Sequence, residues 1–229
     1  MKSYEFNLEQ LEKIAMALGD LLAKVTFVGG CTTALLVDEA AFFGIRATDD
    51  VDIIVDVASR VEYYKIGKAL RKRGFREDKE GPMCRWLLNS NDRQIKLDVM
   101  PIDDKILGFS NRWYGSAIKE SLLVALPGGT PIQVVSPVYF IATKFEAFAG
   151  RGEGNYFSHD LEDIIFVMEN RSGLILELAD CSPELKTYFS SQASLLLNDT
   201  FLNVLPGLLN NSETAVAVED SLKIMKSWA

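Results

Sequence analysis

Arg46-Ala47-Thr48-Asp49-Asp50-Val51-Asp52-Ile53 is the stretch on which the reading of this chain turns. From Asp50 to Val57 polar and apolar residues alternate, which predicts a strand with Val51, Ile53 and Val55 facing the core. Residues two apart share a face, so Asp50 and Asp52 stand side by side. Two carboxylates aimed at one point repel, and burial raises a carboxyl pKa; a divalent cation taking oxygen ligands removes that cost, and magnesium is its natural identity. Asp98 has the same setting, on a stretch where Ile95, Leu97 and Val99 alternate with Lys96, Asp98 and Met100. Were the two strands neighbours, three carboxylates would share one face. The reading requires the space between them to be free of a salt bridge.

Upstream, Lys24 to Val28 is β-rich and stops at Gly29-Gly30, after which an apolar pattern of helical spacing runs from Cys31 to Phe43 and closes at Gly44. Glycines there let the backbone N–H groups of Gly29, Gly30 and Cys31 approach a phosphate, and a helix N-terminus favours negative charge. Asn7, with Glu9 and Gln10 behind it and Leu8, Leu11, Ile14 and Leu18 at helical spacing, predicts a capped amphipathic first helix. Downstream, a helix is expected from about Arg60 to Arg73, ended by Gly74. A hairpin follows, joining Arg85–Leu88 to Gln94–Met100 through Asn89-Ser90-Asn91-Asp92. Leu122–Leu126 and Ile132–Val135 flank Pro127-Gly128-Gly129 as a second strand pair. Helical patterns then cover Pro137–Phe148, His159–Asn170, Pro183–Leu197 and Glu213–Trp228, with Gly and Pro only between them. The expected organisation is an α/β domain, residues 1–136, and a helical region, residues 137–229, that completes the cleft.

Composition narrows the classes. With 229 residues, 48% hydrophobic and 24% charged, the chain can bury a substantial core. Its apolar runs fall short of the ~20 residues that cross a bilayer. Met1-Lys2-Ser3-Tyr4-Glu5 lacks the apolar block of a secretory leader, so the cytoplasm is expected and no membrane partner. Three scattered cysteines, Cys31, Cys84 and Cys181, fit neither a disulfide framework nor a zinc site. A net charge of −8 disfavours broad attraction to nucleic acid, though Lys65, Lys68, Arg71, Lys72, Arg73 and Arg76 cluster on the expected second helix. That cluster is a solvated helix face or an RNA contact.

The order apolar-Gly-Gly, helix, Arg46-x-Thr48-x-Asp50-Val51-Asp52-Ile53, then Leu97-Asp98-Val99 resembles the DNA polymerase β-like nucleotidyltransferase superfamily. Arg46 to Asp52, the helix Ala142-Thr143-Lys144-Phe145-Glu146-Ala147-Phe148 and Ser158-His159-Asp160-Leu161-Glu162-Asp163 look most like its AbiEii-type members, toxins of toxin–antitoxin and phage-defence systems. The likeness spans about residues 24 to 168. It implies a nucleotidyltransferase fold: an α/β (α+β) mixed sheet with flanking helices, followed by a helical region. It further implies two Mg2+ ions, with Mn2+ as an alternative, held by Asp50, Asp52 and Asp98. A nucleoside triphosphate, ATP among them, would give up its nucleoside monophosphate to a hydroxyl on a tRNA 3′ end or a protein. Asp98 would activate that hydroxyl. Gly29, Gly30, Cys31 and Thr48 would bind the nucleotide, Lys144 would contact its phosphates, and Asp160 or Asp163 would orient Lys144 or line the acceptor side. An antitoxin partner also follows from the likeness. The competing readings are a small-molecule (antibiotic) nucleotidyltransferase and a catalytically silent module of the same fold that binds nucleotide or antitoxin.

Several of these residues have plainer readings. Lys144, on an apolar helix, can snorkel to solvent. His159, the lone histidine, is read as structural. Arg46 and Thr48 can brace the strand entry through local backbone bonds. Gly150-Arg151-Gly152-Glu153-Gly154 follows a helix rather than a strand, so it is a mobile loop near the cleft rather than a phosphate loop.

Overall fold

A computed structural model describes residues 2–90, 93–152 and 154–228, divided into two compact units. One unit comprises residues 1–35 and 45–136; the other comprises 36–44 and 137–229.

The first unit holds every strand among the described residues. Its elements are α1 (Ser3–Leu18), β1 (Val25–Val28), β2 (Asp50–Val55), α2 (Arg60–Lys72), β3 (Arg76–Glu77), β4 (Arg85–Ser90) and β5 (Arg93–Pro101). Short helices α3 (Asp104–Leu107) and α4 (Tyr114–Lys119) follow, then β6 (Leu122–Ala125) and β7 (Pro131–Val134). The seven strands lie in the order β3-β4-β5-β2-β1-β7-β6. The sheet is mixed: β2 runs parallel to β5 and β1 parallel to β7, while the other neighbours are antiparallel. Central β1, β2 and β5 carry Phe27, Val51, Ile53, Leu97 and Val99, all fully or almost fully buried, as β-branched and aromatic runs covered by helices should be.

Helix α1 starts earlier than expected. Asn7 lies in its second turn, fully buried, rather than at its cap. Its amide donates to the Arg46 carbonyl at 2.9 Å, and its side-chain oxygen accepts from the Thr48 backbone N–H at 3.0 Å. One turn on, Gln10 donates to the Thr48 carbonyl at 2.9 Å. Two buried amides spaced on one helix face thus clamp the loop that enters β2, satisfying backbone groups that would otherwise be stranded.

The helix expected over Cys31–Phe43 is instead two 3-10 segments, Gly30–Leu35 and Glu39–Gly44. Thr32 and Thr33 turn their hydroxyls onto the Gly29 and Gly30 carbonyls, both at 2.8 Å, the local competition that disfavours a regular helix. The Asp38 N–H then leaves for the Asn170 carbonyl at 3.0 Å. The chain belongs to the second unit from Leu36 to Gly44 and returns to the first at Ile45.

The second unit contains α5 (Pro137–Ala147), a π-helical continuation Phe148–Gly152, α6 (His159–Asn170), α7 (Leu174–Ala179), α8 (Pro183–Leu196), α9 (Asp199–Leu208) and α10 (Ala215–Lys226). The π-helical turn occupies part of the glycine-rich stretch expected to be a loop. Phe145 of α5 packs against Phe189 of α8, ring centroids 6.4 Å apart, and the Ser190 hydroxyl ties α8 to the Lys226 carbonyl of α10 at 2.7 Å. Helix α9 crosses Pro206-Gly207, residues read as a break; Pro206 falls in its last turn, where the missing N–H costs one bond. The turn residues Asn91 and Asp92, and Glu153 of the glycine-rich stretch, lie outside the described residues.

Candidate active site

Register builds the carboxylate face. On parallel β2 and β5, Asp52 stands opposite Asp98, and Asp50 opposite Lys96, so Asp50, Asp52, Asp98 and Lys96 project from one side of the sheet. Neighbouring strands are about 4.8 Å apart, which puts the Asp52 and Asp98 side chains alongside each other. On the other flank of β2, Val28 of β1 opposes Asp52 and leads directly into Gly29. Gly29 has φ of 76°, and a Cβ there would lie 2.0 Å from Asp52 Oδ2. Only glycine lets the Asp52 carboxylate rest against this turn. The turn itself is a six-residue 3-10 segment, so it offers backbone N–H groups but not the dipole of a long helix.

A residue that sequence reasoning missed takes the centre of this face. Arg85 of β4 opposes Asp98 across the antiparallel pair and projects from the same side. Its Nε donates to Asp98 Oδ1 at 2.8 Å and its Nη2 to Asp98 Oδ2 at 2.7 Å, a bidentate fork; the same Nη2 donates to Asp50 Oδ2 at 2.8 Å. The hydrogen bond to Asp98 and the adjacent carboxylates raise the Arg85 pKa further still, so the guanidinium is charged at every accessible pH. This is the face on which the sequence places a metal site at Asp50, Asp52 and Asp98. The carboxylates converge, but a salt bridge fills the space between Asp50 and Asp98. Among the described residues no group of three or more His, Cys, Asp or Glu side chains is gathered for an ion. By residue type and register the three aspartates suit a hard divalent cation, and the obstacle is one long side chain rather than the strands. Two strands meeting at a polar turn do carry a cue, since Arg85 begins the hairpin strand that pairs with Asp98. Its exact partner depended on a turn whose geometry the residue types leave open.

Two of the residues expected to bind the nucleotide, Thr48 and Cys31, are bonded to Asn7. Thr48, 5% exposed, engages Asn7 through its backbone N–H at 3.0 Å and its hydroxyl at 3.3 Å, the bracing role. Cys31 is fully buried, its thiol donating to the Asn7 carbonyl at 3.4 Å, and burial pushes its pKa up to about 12. Burial likewise lifts the Cys84 thiol to about 12, so neither cysteine supplies a thiolate nucleophile. The basic helix α2 lies behind the sheet. Its Gly67 abuts the Trp86 ring, over which Arg71 stacks at 5.4 Å, and Trp86 points to the face opposite Arg85 and Asp98.

In the second unit, α5 and α6 bring Lys144, Asp160 and Asp163 together. Lys144 Nζ is 2.7 Å from Asp163 Oδ2 and 3.1 Å from Asp160 Oδ1. Arg151 completes the group, donating to both Asp160 oxygens at 2.7 and 2.9 Å. Burial alone would lower the Lys144 pKa, but Asp163 and Asp160 overrule it and hold the ammonium above its ordinary value. Burial would raise Asp160, yet Arg151 and Lys144 bring its carboxyl below the usual range. Both aspartates thus position Lys144. His159, beside them, is exposed and pairs with Glu162 at 2.8 Å.

No family model matches the sequence, and no curated protein does. Among solved structures, the chain is similar to an antigenic nucleotidyltransferase-like protein from Paracoccidioides brasiliensis. That match has a TM-score of 0.57 at 18% identity and covers 89% of this chain and 93% of that one. The fold is nucleotidyltransferase-like. The antibiotic-resistance factor ANT(2'')-Ia also matches, with a TM-score of 0.46 at 16% identity over 82% of this chain and 94% of that chain. Within the nucleotidyltransferase-like fold the mixed sheet with flanking helices stands as expected from the sequence, and no described helix is long and apolar enough to cross a membrane.

Proposed function

We propose that the chain is a metal-dependent nucleotidyltransferase, moving a nucleoside monophosphate from a nucleoside triphosphate to a hydroxyl and releasing pyrophosphate. One observation carries the reading: Asp52 and Asp98 oppose each other across parallel strands, with Asp50 on the same face and the Asp52 carboxylate seated against Gly29. A fold similar to a nucleotidyltransferase-like protein supports it. Asp50, Asp52 and Asp98 would hold Mg2+, or Mn2+ in its place, once Arg85 releases Asp50 and Asp98. Bound there, the ions would neutralise the departing pyrophosphate and acidify the attacking hydroxyl. Asp98, the least exposed of Arg85's two partners, is the group that takes the hydroxyl proton. The Gly29–Cys31 backbone cradles phosphate oxygens. Lys144 contacts phosphate, and for that its ammonium must stay charged, which Asp163 and Asp160 secure. The acceptor follows the AbiEii likeness, a tRNA 3′ end or a protein side chain, in a toxin countered by an antitoxin; a small-molecule hydroxyl is the alternative.

A second reading, a catalytically silent nucleotide- or antitoxin-binding module, draws its support from Arg85, because a guanidinium already neutralises part of the carboxylate cluster. Incubation with α-labelled triphosphates, Mg2+, and total RNA or protein separates the two. Transfer of label by the wild type that is lost in Asp50→Asn/Asp52→Asn, with cooperative melting retained, supports the enzyme. Equal labelling by the double variant refutes the assignment. Absence of transfer, together with thermal stabilisation by a triphosphate that Mg2+ does not alter, selects the silent module.

A further inference from the structure

Helix α2 carries five cations, Arg60, Lys65, Lys68, Arg71 and Lys72, and a single carboxylate, Glu62. At about 100° per residue the five cations, with Val61 and Tyr64, fall within an arc of about 140°, so one face presents them all. The other side anchors the helix on the sheet. Leu70 is fully buried, a Cβ at Gly67 would lie 3.1 Å from the Trp86 ring, and the Tyr63 hydroxyl donates to the Val99 carbonyl at 2.9 Å. The basic face is therefore a fixed platform turned to solvent, on which Tyr64 is 64% exposed.

Lys13 of α1 pairs with Glu9, and Lys223 of α10 with Glu219 and Asp220, acids three or four residues back on the same helix. Helix α2 lacks that arrangement. Its one acid is engaged at the N-terminus, Glu62 accepting from the Ala58 backbone N–H and the Ser59 hydroxyl, both at 3.1 Å. Arg71 pairs with Glu77, and its guanidinium lies 5.9 Å from the Tyr64 ring centroid and 5.4 Å from that of Trp86. Lys65, Lys68 and Lys72 meet no carboxylate among the described residues. Instead Lys68 sits three residues from Lys65 and four from Lys72, spacings at which like charges repel. The helix dipole accounts for Arg71 and Lys72 in the last turn, but not for Lys65 and Lys68. An unmatched row of lysines in a chain of net charge −8 destabilises the isolated helix, and an external polyanion removes the repulsion.

We infer that this face of α2 docks RNA, with the lysines on backbone phosphates and Tyr64 against an unstacked base. Lys65 and Lys72 are about 10 Å apart along the helix axis, a reach that covers more than one phosphate. Unpaired stretches with accessible base faces are an ordinary feature of folded RNA, which favours it over duplex DNA as the partner of an exposed tyrosine. An anionic membrane fits less well, because the apolar side of α2 is buried against the sheet and only Val61 and Tyr64 remain to enter a bilayer. The inference rests on the transfer reading above only for its purpose, the RNA being held as the bearer of the acceptor hydroxyl. Binding itself needs neither metal nor triphosphate. Since α2 lies behind the sheet, the body of the RNA docks there, and an extended end would pass to the carboxylate face.

Fluorescence anisotropy of labelled single-stranded RNA with the full chain, without metal, reads the docking directly. Lys65→Gln/Lys68→Gln/Lys72→Gln should bind at least about tenfold more weakly than wild type, and its slope of log affinity against log salt should be shallower by about 2, as three lost phosphate contacts require. It should melt no lower than wild type, since like-charge contacts are relieved. Lys65→Arg/Lys68→Arg/Lys72→Arg should keep the binding, because the charges remain. Tyr64→Ala should weaken it about fivefold or more and leave the salt slope unchanged, as loss of a stacked base would. Equal RNA binding by wild type and the triple glutamine variant overturns the proposal, and so does tighter binding of wild type to phosphatidylserine vesicles or duplex DNA than to the RNA. Transfer of α-label to protein, with RNA bound equally by both chains, removes the docking surface and leaves the transferase standing. RNA binding lost in the triple variant, with no label transfer by either chain, removes the transferase reading and leaves the docking surface standing.

Discussion

Two ion clusters, one in each unit, are built from the same residue types and reach opposite balances. At the sheet, Asp50 and Asp98 share Arg85, two carboxylates on one guanidinium, with Asp52 on the same face. Among the helices, Asp160 and Asp163 meet Lys144 and Arg151, charge for charge. In the helical cluster Lys144 and both aspartates are each less than 10% exposed, and the 73% exposed Arg151 supplies the second positive charge from the surface. Low dielectric tolerates only a matched set, because an unpaired buried charge is costly. The unbalanced cluster keeps Asp50 partly exposed, where water and mobile ions absorb the excess. A charge-matched set with a buried lysine at its centre holds a fold together. A set short of positive charge at a partly open face is suited to recruiting a cation.

The contrast breaks most visibly at Lys144. Lys144→Met leaves Asp163 without its 2.7 Å partner and Asp160 with Arg151 alone, and should cost about 3–5 kcal/mol in urea unfolding. The loss should depend on pH. Asp160's folded pKa lies below its ordinary 3.8, so its pairing stabilises the protein above that value and is lost as pH falls through the folded pKa. Lys144's folded pKa is raised above 10.5, so its share is complete below that value and lost only as pH rises through the folded pKa. The gap between wild type and Lys144→Met should therefore be widest near neutrality and narrow below about pH 4. A loss below about 1 kcal/mol, or one flat across acid pH, would break the distinction between the clusters.

A smaller effect is expected at the sheet. Gly29→Ala places a side chain at φ of 76° and onto the Asp52 carboxylate. The backbone conformation alone costs about 1–2 kcal/mol for a residue with a Cβ. The displaced Asp52 should take Mn2+ binding and label transfer with it. Denaturant unfolding and Mn2+ titration together read both parts. Stability lost with Mn2+ affinity kept would mean that the turn supports the fold without shaping the site.

What could be read from residues alone follows the reach of each signal. Period-two alternation is local, so Asp50, Asp52 and Asp98 were legible as strand carboxylates, and their register then appeared in the sheet. Arg85 was legible as a strand residue, but which carboxylate it faces depends on the register of a hairpin whose turn includes residues 91 and 92. Asn7 has the chemistry of a cap and sits near a helix start, yet its work is 39 residues away at the Arg46 carbonyl, a tertiary demand no local pattern encodes. The stretch from Cys31 to Phe43 has the apolar spacing of a helix; threonine hydroxyls and the Asp38–Asn170 bond outcompete it. In α9, Pro206-Gly207 signalled a break, but near a C-terminus proline ends a helix more than it prevents one.

The smallest expected effect sharpens the comparison within one helix. His159 and Asp160 are adjacent at the start of α6, and each makes an ion contact. The His159 side chain is 71% exposed and reaches Glu162 one turn along, while the Asp160 side chain is 5% exposed and binds two cations from outside the helix. An exposed pair three residues apart contributes little, because water screens it and two side chains must be ordered to form it. Its charge also requires a protonated imidazole. His159→Ala should therefore change unfolding stability by no more than about 0.5 kcal/mol and leave label transfer unaltered. Burial, rather than ion-pair geometry, would then separate neighbouring residues on the same turn. A loss of transfer in His159→Ala would instead give the histidine a chemical role that its exposed pairing does not suggest.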